Sequence, residues 1–511
     1  MNVKKSNHLS QQRGLRLTKP HAEELVNLYG RAHAESESFH SSDLLLINYA
    51  HIVMLCKQNL ISQAEAAQIL TCIHKLETRG VTEVIHIDPH VGDLTTHMEA
   101  YIIEETGPEI GGKVHTGRSR NDLYVTMTKM LIRRTVLDVY EALMTLETSL
   151  LSMAYEHRET IMPGYTQHSQ HAQPITLGYY FLGNFDVFNR DLHRLEDLWS
   201  RLNTCPMGAA ALAGTGFPLD RAMVATLLGF DSVHEHAYDA VSSRDFLLEY
   251  LFILSSIASD LGRMAENILY WNTFEFNMIV LSDEYTSFST IMPQKKNPVA
   301  LETLRAFNAV VAGKLFNALG ILKAEPWSNG RETTILDDDS VDLGKRVQDM
   351  IHLFNSVLRT MSINKERMLE LARRGFSVAT ELADMLVREN GLPFRTAHEI
   401  VGLVVRKAVD SGLDSTQITA DMVEEAAGEH LSKKITMDSE ALRRALDPRE
   451  NVEMRSLHGG PAVKEVTRMI EQRNLSLGER EEFLRNRRQQ LDRAHEQLRR
   501  AVHEMTGGDS S

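Results

Sequence analysis

The chain has 511 residues, 43% of them hydrophobic and 24% charged, and that length buries a core large enough for two or three domains. Its formal net charge of −14 argues against a nucleic-acid partner, whose phosphates require a basic face. The cysteines Cys56, Cys72 and Cys205 have neither CxxC nor metal-ligand spacing, which fits a reducing, cytoplasmic setting without a metal site.

From Met1 to Arg16 the chain is polar and basic with no apolar stretch, so no secretory signal is expected. Ser41–Gln58 and Ser62–Arg79 read as helices, the second capped by Ser62. Glu83–Ile87 is the best short strand candidate in a chain where convincing strands are scarce. Apolar residues then recur at three- and four-residue steps through Thr126–Met153, Gly178–Leu202, Asp245–Trp271 and Asn297–Ile321. In the third of these, Leu247, Leu251, Leu254, Ile257, Leu261, Met264 and Ile268 make a wide stripe, as in a helix buried within a bundle. The apolar run Tyr250–Ala258 meets Asp260 and Arg263, and no run reaches the length of a membrane span. Beyond about residue 360 shorter helices are expected, with stops at Gly391-Leu392-Pro393 and Asp447-Pro448. From Ser476 the chain is strongly charged, yet Leu484, Leu491, Leu498 and Met505 fall one heptad apart, which predicts a packed terminal helix, against a partner subunit or solvated. Gly507–Ser511 should be a frayed tail. The fold class expected is mainly α, divided at 1–111, 112–360 and 361–511 around a central helical bundle.

Polar clusters interrupt this pattern. The first, H-T-G-R-S-R-N-D from His115, pairs a permissive Gly117 with the carboxylate-binding forks of Arg118 and Arg120 and the short polar groups of Ser119 and Asn121. A helix N-terminus with surface arginines reads the same way. The second, P-G-Y-T-Q-H-S-Q-H-A-Q-P from Pro163, sets His168 among Thr166, Gln167, Gln170 and Gln173, where an imidazole can shuttle protons near neutral pH. The third, F-S-T-I-M-P-Q-K-K-N-P from Phe288, is the most specific. Pro293 and Pro298 each fix φ and remove a donor, so it reads as an ordered loop. It carries hydroxyls (Ser289, Thr290) at one end and ammonium and amide donors (Lys295, Lys296, Asn297) at the other, a set suited to stabilising a transient anion.

Together these clusters resemble the fumarase/aspartase superfamily and, within it, the argininosuccinate lyases. The resemblance covers most of the chain, including G-G-K-V-H-T-G-R-S-R-N-D from Gly111, M-P-Q-K-K-N-P from Met292, A-L-A-G-T-G-F-P-L-D-R from Ala211 and G-L-P-F-R-T-A-H from Gly391. It implies a three-domain, mainly α-helical homotetramer whose active sites each draw one cluster from three subunits. It implies elimination of fumarate from an N-substituted aspartate, with argininosuccinate the default substrate and no cofactor. By motif position Ser289 would be the base, His168 would assist proton transfer, and Lys295 and Asn297 would hold the carboxylate that gains charge. Arg118, Ser119, Arg120, Asn121, Thr166, Gln167, Thr290 and Met292 would contact the substrate. The implied partners are small molecules and other copies of the chain, with no nucleic acid or membrane.

The sequence also departs from the family pattern. Phe288 stands where glycine is usual, Thr290 where a second serine is, and Val299 where an aspartate often follows Asn-Pro. One extra residue precedes His168, so Gln167 falls on a substrate-binding threonine, and Asp93-Leu94-Thr95 has threonine where histidine is expected. After Pro326, W-S-N-G-R-E-T-T-I-L-D-D-D replaces a substrate-holding segment, and Arg331 could replace a lost cation. The alternatives are a paralogue acting on another N-substituted aspartate, such as an aminocarboxylic acid of the ethylenediamine-disuccinate kind, and a non-catalytic, crystallin-like structural protein.

Overall fold

The computed structural model describes residues 19–507, apart from 324, 432 and 433. The expectations for Met1–Arg16 and for the tail at 508–511 lie outside the described residues.

The N-terminal elements are α1 (Arg31–Glu37), which continues a π-turn at Val26–Gly30, then α2 (Ser41–Lys57), α3 (Gln63–Arg79) and α4 (Leu94–Thr106). The expected cap of α3 forms as a reciprocal box: Ser62 N–H donates to the Glu65 carboxylate at 2.8 Å, and Glu65 N–H to Ser62 Oγ at 3.3 Å. The strand expected at Glu83–Ile87 is not present. Gly80 turns the chain with φ of +83°, and Val81–Val84 form a single helical turn that buries Val81. β-branched residues favour a strand only where another strand is placed to pair with them.

Next come α5 (Arg120–Glu156), a hairpin of β1 (Ile161–Thr166) and β2 (Gln170–Thr176), α6 (Leu177–Leu202) and α7 (Asp245–Trp271). Strands β3 (Ser287–Phe288) and β4 (Lys296–Asn297) precede α8 (Val299–Leu322), α9 (Arg331–Ser340) and α10 (Leu343–Thr360). The predicted bundle is there, and α10 joins the expected long segments in it. Its core is formed by residues such as Leu143, Phe181, Phe185, Leu254, Leu304 and Phe354. A second core joins α2, α3 and α4 to the start of α5 and to residues 205–230. A third gathers α11 (Ala379–Asn390), α12 (Phe394–Asp410) and α13 (Ala420–His430).

The terminal helix α14 (Val463–Thr506) follows the third core in sequence and runs across the other two. Its heptad stripe packs on its own chain: Leu484 lies in the bundle core, and Leu498 and Met505 in the N-terminal core. Arg473 holds Asp186 and Arg480 holds Glu196, each at 2.6 Å, tying α14 to α6.

Within the bundle, Glu147 of α5 is fully buried, and neither carboxylate oxygen has a hydrogen-bond partner among the described residues. Burial pushes its pKa up to about 8, against an opposing pull from Arg480. The folded value lies above the unfolded one. The group's contribution is therefore full at acid pH and declines as pH rises from the ordinary carboxylate range to about 8. Glu147→Gln should raise the melting temperature relative to the unsubstituted protein, by a few degrees at pH 8 and by clearly less at pH 5. Thermal scans at the two pH values check both the sign and the slope.

Candidate active site

The first cluster is built on the N-terminus of α5. Gly117, at φ +70°, turns the chain there, and a Cβ would press on Leu219 at 3.1 Å. Ser119 is the cap: its Oγ accepts from Asn121 N–H at 3.4 Å, while Asp122 Oδ1 accepts from Ser119 N–H at 2.9 Å. The other Asp122 oxygen accepts from the backbone of Gly208 at 3.0 Å and Ala210 at 2.9 Å. One buried carboxylate thus joins the Arg118–Asn121 cluster to the Ala211 motif. Burial lifts its pKa to about 6, although these backbone bonds oppose the rise.

Arg120 donates to Asp93 Oδ2 at 2.7 Å. Asp93 caps α4, accepting from Thr96 N–H at 2.8 Å and from the hydroxyls of Thr95 at 2.7 Å and Thr96 at 2.6 Å. Burial pushes the Asp93 carboxyl up, but Arg120 and the threonine hydroxyls outweigh it and hold it well below the usual range. The threonine of Asp93-Leu94-Thr95 is therefore part of this cap. Asn121 donates to Ala211 O and accepts from Asn329 Nδ2, both at 3.0 Å. That second bond brings the divergent segment after Pro326 directly onto the cluster. Arg118 instead donates to Asn48 Oδ1 at 2.7 Å, inside the N-terminal core. Burial lowers its pKa to about 10.

The second cluster lies at the tip of the β1–β2 hairpin. Tyr165 pairs with His171 and Thr166 with Gln170. Gln167, His168 and Ser169 follow one another in the left-handed region, at φ of +38°, +56° and +68°. Such a run of non-glycine residues is strained, and it leaves His168 exposed. The tip overhangs a hollow of about 760 Å³ against α7 and α8, lined also by Asn267, Tyr270, Arg305 and Asn308.

The third cluster is a loop closed by a short ladder: Ser287 pairs with Asn297, and Phe288 with Lys296. Ser289 Oγ accepts from the backbone N–H groups of Met292 at 3.0 Å and Ile291 at 3.4 Å. Two donors aimed at one hydroxyl oxygen favour its alkoxide. Lys295 Nζ donates to Asn297 Oδ1. Lys296 secures the base of the loop, bonding Leu281 O at 2.7 Å and Asp283 at 2.6 Å. Thr290, Met292 and Lys295 stay exposed, as do Phe288 at 82% and Ile291 at 83%.

The expected site residues therefore form three groups at two ends of the bundle. The 37 residues of α5 separate Arg120 from the hairpin by about 55 Å at 1.5 Å per residue. Helices α7 and α8 run antiparallel, with Ser259 against Asn308 and Glu266 against Arg305. The loop preceding α8 is thus at the hairpin end, opposite the first cluster. Among the described residues, no hydrogen bond or ion pair joins one cluster to another. Asp122, Asp93 and Asn329 are organising residues that lie in the quoted motifs but were given no role from sequence. The Ser-x-x-Asp spacing of Ser119 and Asp122 is a capping signal that could have shown the first of them.

A family model described as Lyase matches residues 34–313, and one described as Argininosuccinate lyase C-terminal matches residues 376–453. Argininosuccinate lyase 1 of Shouchella clausii is 36% identical, over 96% of this chain and 99% of that protein. The chain belongs to the argininosuccinate lyase family. Within the fumarase/aspartase superfamily it is thus a carbon–nitrogen lyase. The argininosuccinate lyase of Methanocaldococcus jannaschii is 39% identical, over 83% of this chain and 86% of its own length. Among solved structures, an EDDS lyase in complex with formate superposes with a TM-score of 0.87 at 33% identity, covering 96% of this chain and 97% of its own. A class II fumarase from Schistosoma mansoni, at 16% identity and a TM-score of 0.68 over 88% of this chain and 94% of its own, shares the fold. The argininosuccinate lyase pattern therefore runs through the bundle and the C-terminal helices alike.

Asp122→Ala would leave three backbone donors without their acceptor, at about 1–3 kcal/mol each where buried. Chemical denaturation should show a loss of at least about 3 kcal/mol. Asp122→Asn, which keeps one carbonyl oxygen, should lose less.

Proposed function

We propose that this enzyme eliminates fumarate from an N-substituted aspartate, with argininosuccinate the first substrate to test. The observation that carries the reading is the loop from Ser289 to Asn297, which sets an oxygen on two backbone amides at one end and an ammonium–amide pair at the other. In this reading the Ser289 alkoxide takes the Cβ proton. The electron pair is delocalised into the neighbouring carboxylate, whose added charge falls to Lys295 and Asn297. The C–N bond then breaks, its electrons leave with nitrogen, and His168 assists the accompanying proton transfer. Arg120, Ser119 and Asn121 grip the substrate, with Thr166, Gln167, Thr290 and Met292 around it. Arg118, committed to Asn48, supports the cluster from behind.

Since the clusters stand at opposite ends of one bundle, a complete site requires more than one copy. Helix α8 supports this. It exposes Ala306, Ala309, Val310, Gly313, Phe316, Leu319 and Gly320 at three- and four-residue steps, and Phe316 is 80% exposed. A second bundle running the opposite way would cover this stripe and bring the first cluster to a hairpin and a loop from other copies. A cytoplasmic homotetramer is the assembly we infer.

The divergent segment after Pro326 and the likeness to an EDDS lyase favour a second reading, in which the amine is not arginine. Fumarate absorbs in the ultraviolet, so its release from argininosuccinate and from ethylenediamine disuccinate separates the two readings. Silence with both, and with amines plus fumarate, would favour the crystallin-like alternative. Ser289→Ala should lower fumarate release by at least about a thousandfold while the fold is kept. Mixing Ser289→Ala with Arg120→Met, each inactive alone, and refolding them together should restore part of the activity, because some mixed sites draw an intact cluster from each variant. No recovery would overturn the shared site.

A further inference from the structure

The helix Lys365–Arg374, just beyond the bundle, presents two faces. Asn364 caps it, accepting from Arg367 N–H at 3.1 Å. One face is buried through Met368 and Ala372, and Ala372 and Leu369 pack with Ile161 of β1. Gly375, which ends the helix, lies against the other strand of the hairpin, where a Cβ would overlap the ring of His171. His171 pairs with Tyr165 across the turn that holds His168. The second face, with Glu366, Leu369, Glu370 and Arg373 at three- and four-residue steps, lines a cavity of about 730 Å³. The turn Ser415–Gln417 and the helix Ser439–Leu446 supply its other walls. Its floor is apolar: Ile418, Leu442 and Leu446 are buried there and Leu369 is half-buried.

Four carboxylates and three guanidiniums surround this floor. Most are already engaged. Glu370 pairs with Arg367 and with Arg374, each at 3.0 Å, and Arg443 pairs with Glu440 at 2.6 Å. Asp414 accepts from Thr416 N–H at 2.9 Å, and Asp447 from Arg449 N–H at 2.7 Å. The side chains of Glu366 and Arg373 have no hydrogen-bond or ion-pair partner among the described residues. They are opposite in sign and seven residues apart, about 10 Å along the helix, with Leu369 between them. A ligand that meets both has a carboxylate at one end, a cation at the other and an apolar stem. The lining is short of one positive charge, so a ligand of net charge +1 balances it. A basic amino acid, with one carboxylate, two cationic groups and a methylene stem, has each of these features.

We propose that this cavity is a regulatory site for a basic amino acid, whose carboxylate is held by Arg373 and whose side-chain cation is held by Glu366, with Leu369 and Leu442 along its stem. The planar guanidinium of Arg373 suits a carboxylate. Occupancy ties the helix Lys365–Arg374 to the helix Ser439–Leu446. Because the first of these bears on Ile161 and His171, the hairpin responds with it. The coupling is reciprocal, so a ligand at the hairpin changes affinity at the cavity by the same factor. The site goes beyond the fumarate-releasing reading and does not rest on it.

The test uses the full chain and L-lysine, with cadaverine, which lacks only the carboxylate, and L-norleucine, which lacks only the side-chain ammonium. By titration calorimetry each control should bind about tenfold or more weakly than L-lysine, the worth of one charge-assisted contact. Arg373→Met should weaken L-lysine by about the same factor and leave cadaverine unchanged, and Arg373→Lys should recover part of the loss. Glu366→Gln should weaken L-lysine and leave L-norleucine unchanged, and it decides the matter if Arg373→Met folds poorly. Hydrogen exchange should slow over 365–374 and over the hairpin 161–176 when L-lysine is added, in the unsubstituted protein but not in Arg373→Met. Fumarate release without added amino acid should be the same in all variants. Equal affinity for L-lysine and cadaverine, or protection over 365–374 that is absent or that survives both substitutions, would overturn the site. Protection there with an unchanged hairpin would overturn its regulatory role. Silence on every N-substituted aspartate would overturn only the fumarate-releasing reading, because these binding measurements need no turnover.

Discussion

The length of α5 is the constraint on which the rest depends. Its 37 residues run about 55 Å from the Arg120 cluster to the His168 hairpin. A rod of that length cannot fold back on itself without losing its backbone hydrogen bonds. The polar groups at its two ends are therefore kept apart within one chain, and any reaction that needs both must recruit other chains. The exposed apolar stripe of α8 belongs to the same logic. It is an unburied apolar face, and in the proposed assembly covering it on a copy is what would bring the ends together.

At the hairpin end of the molecule, the loop from Ser289 to Asn297 gives its two lysines different surroundings. Lys296 is bound to Asp283 and to a backbone carbonyl and so fixes the ladder, while Lys295 has no carboxylate partner among the described residues and lies beside Asn297. A serine hydroxyl is a weak base-former on its own. Here the backbone amides of Ile291 and Met292 already point at its oxygen, so in the proposed mechanism the negative charge would have a place prepared for it.

The long helices were legible because a buried helix repeats its apolar face for many turns. Asp245–Trp271 was bounded from sequence at the limits the structure shows. The β1–β2 hairpin was not legible. Pro163 and a glutamine-rich second half obscure the alternation, and β1 is buried over four successive residues, so no period of two appears. Glu83–Ile87 failed for the opposite reason: strand-forming residues with no strand to pair against. The three polar clusters could be recognised as motifs, but motif order does not tell which way a side chain points. Arg118 and Arg120 are two residues apart, yet one enters the N-terminal core and the other meets Asp93. Nor could sequence alone place Asn329 against Asn121, some 208 positions earlier.

The course of α14 has a consequence for how the protein is made. The N-terminal core emerges from the ribosome first, but Leu498 and Met505, which complete it, emerge last. At about 5–20 residues per second, the roughly 400 residues between α3 and the end of α14 take on the order of 20–80 s to synthesise. Through that interval the apolar surface of α2 and α3 awaits its final cover. Completion of that core therefore waits on the synthesis of α14, and a chain interrupted before Leu498 would leave α2 and α3 without this cover.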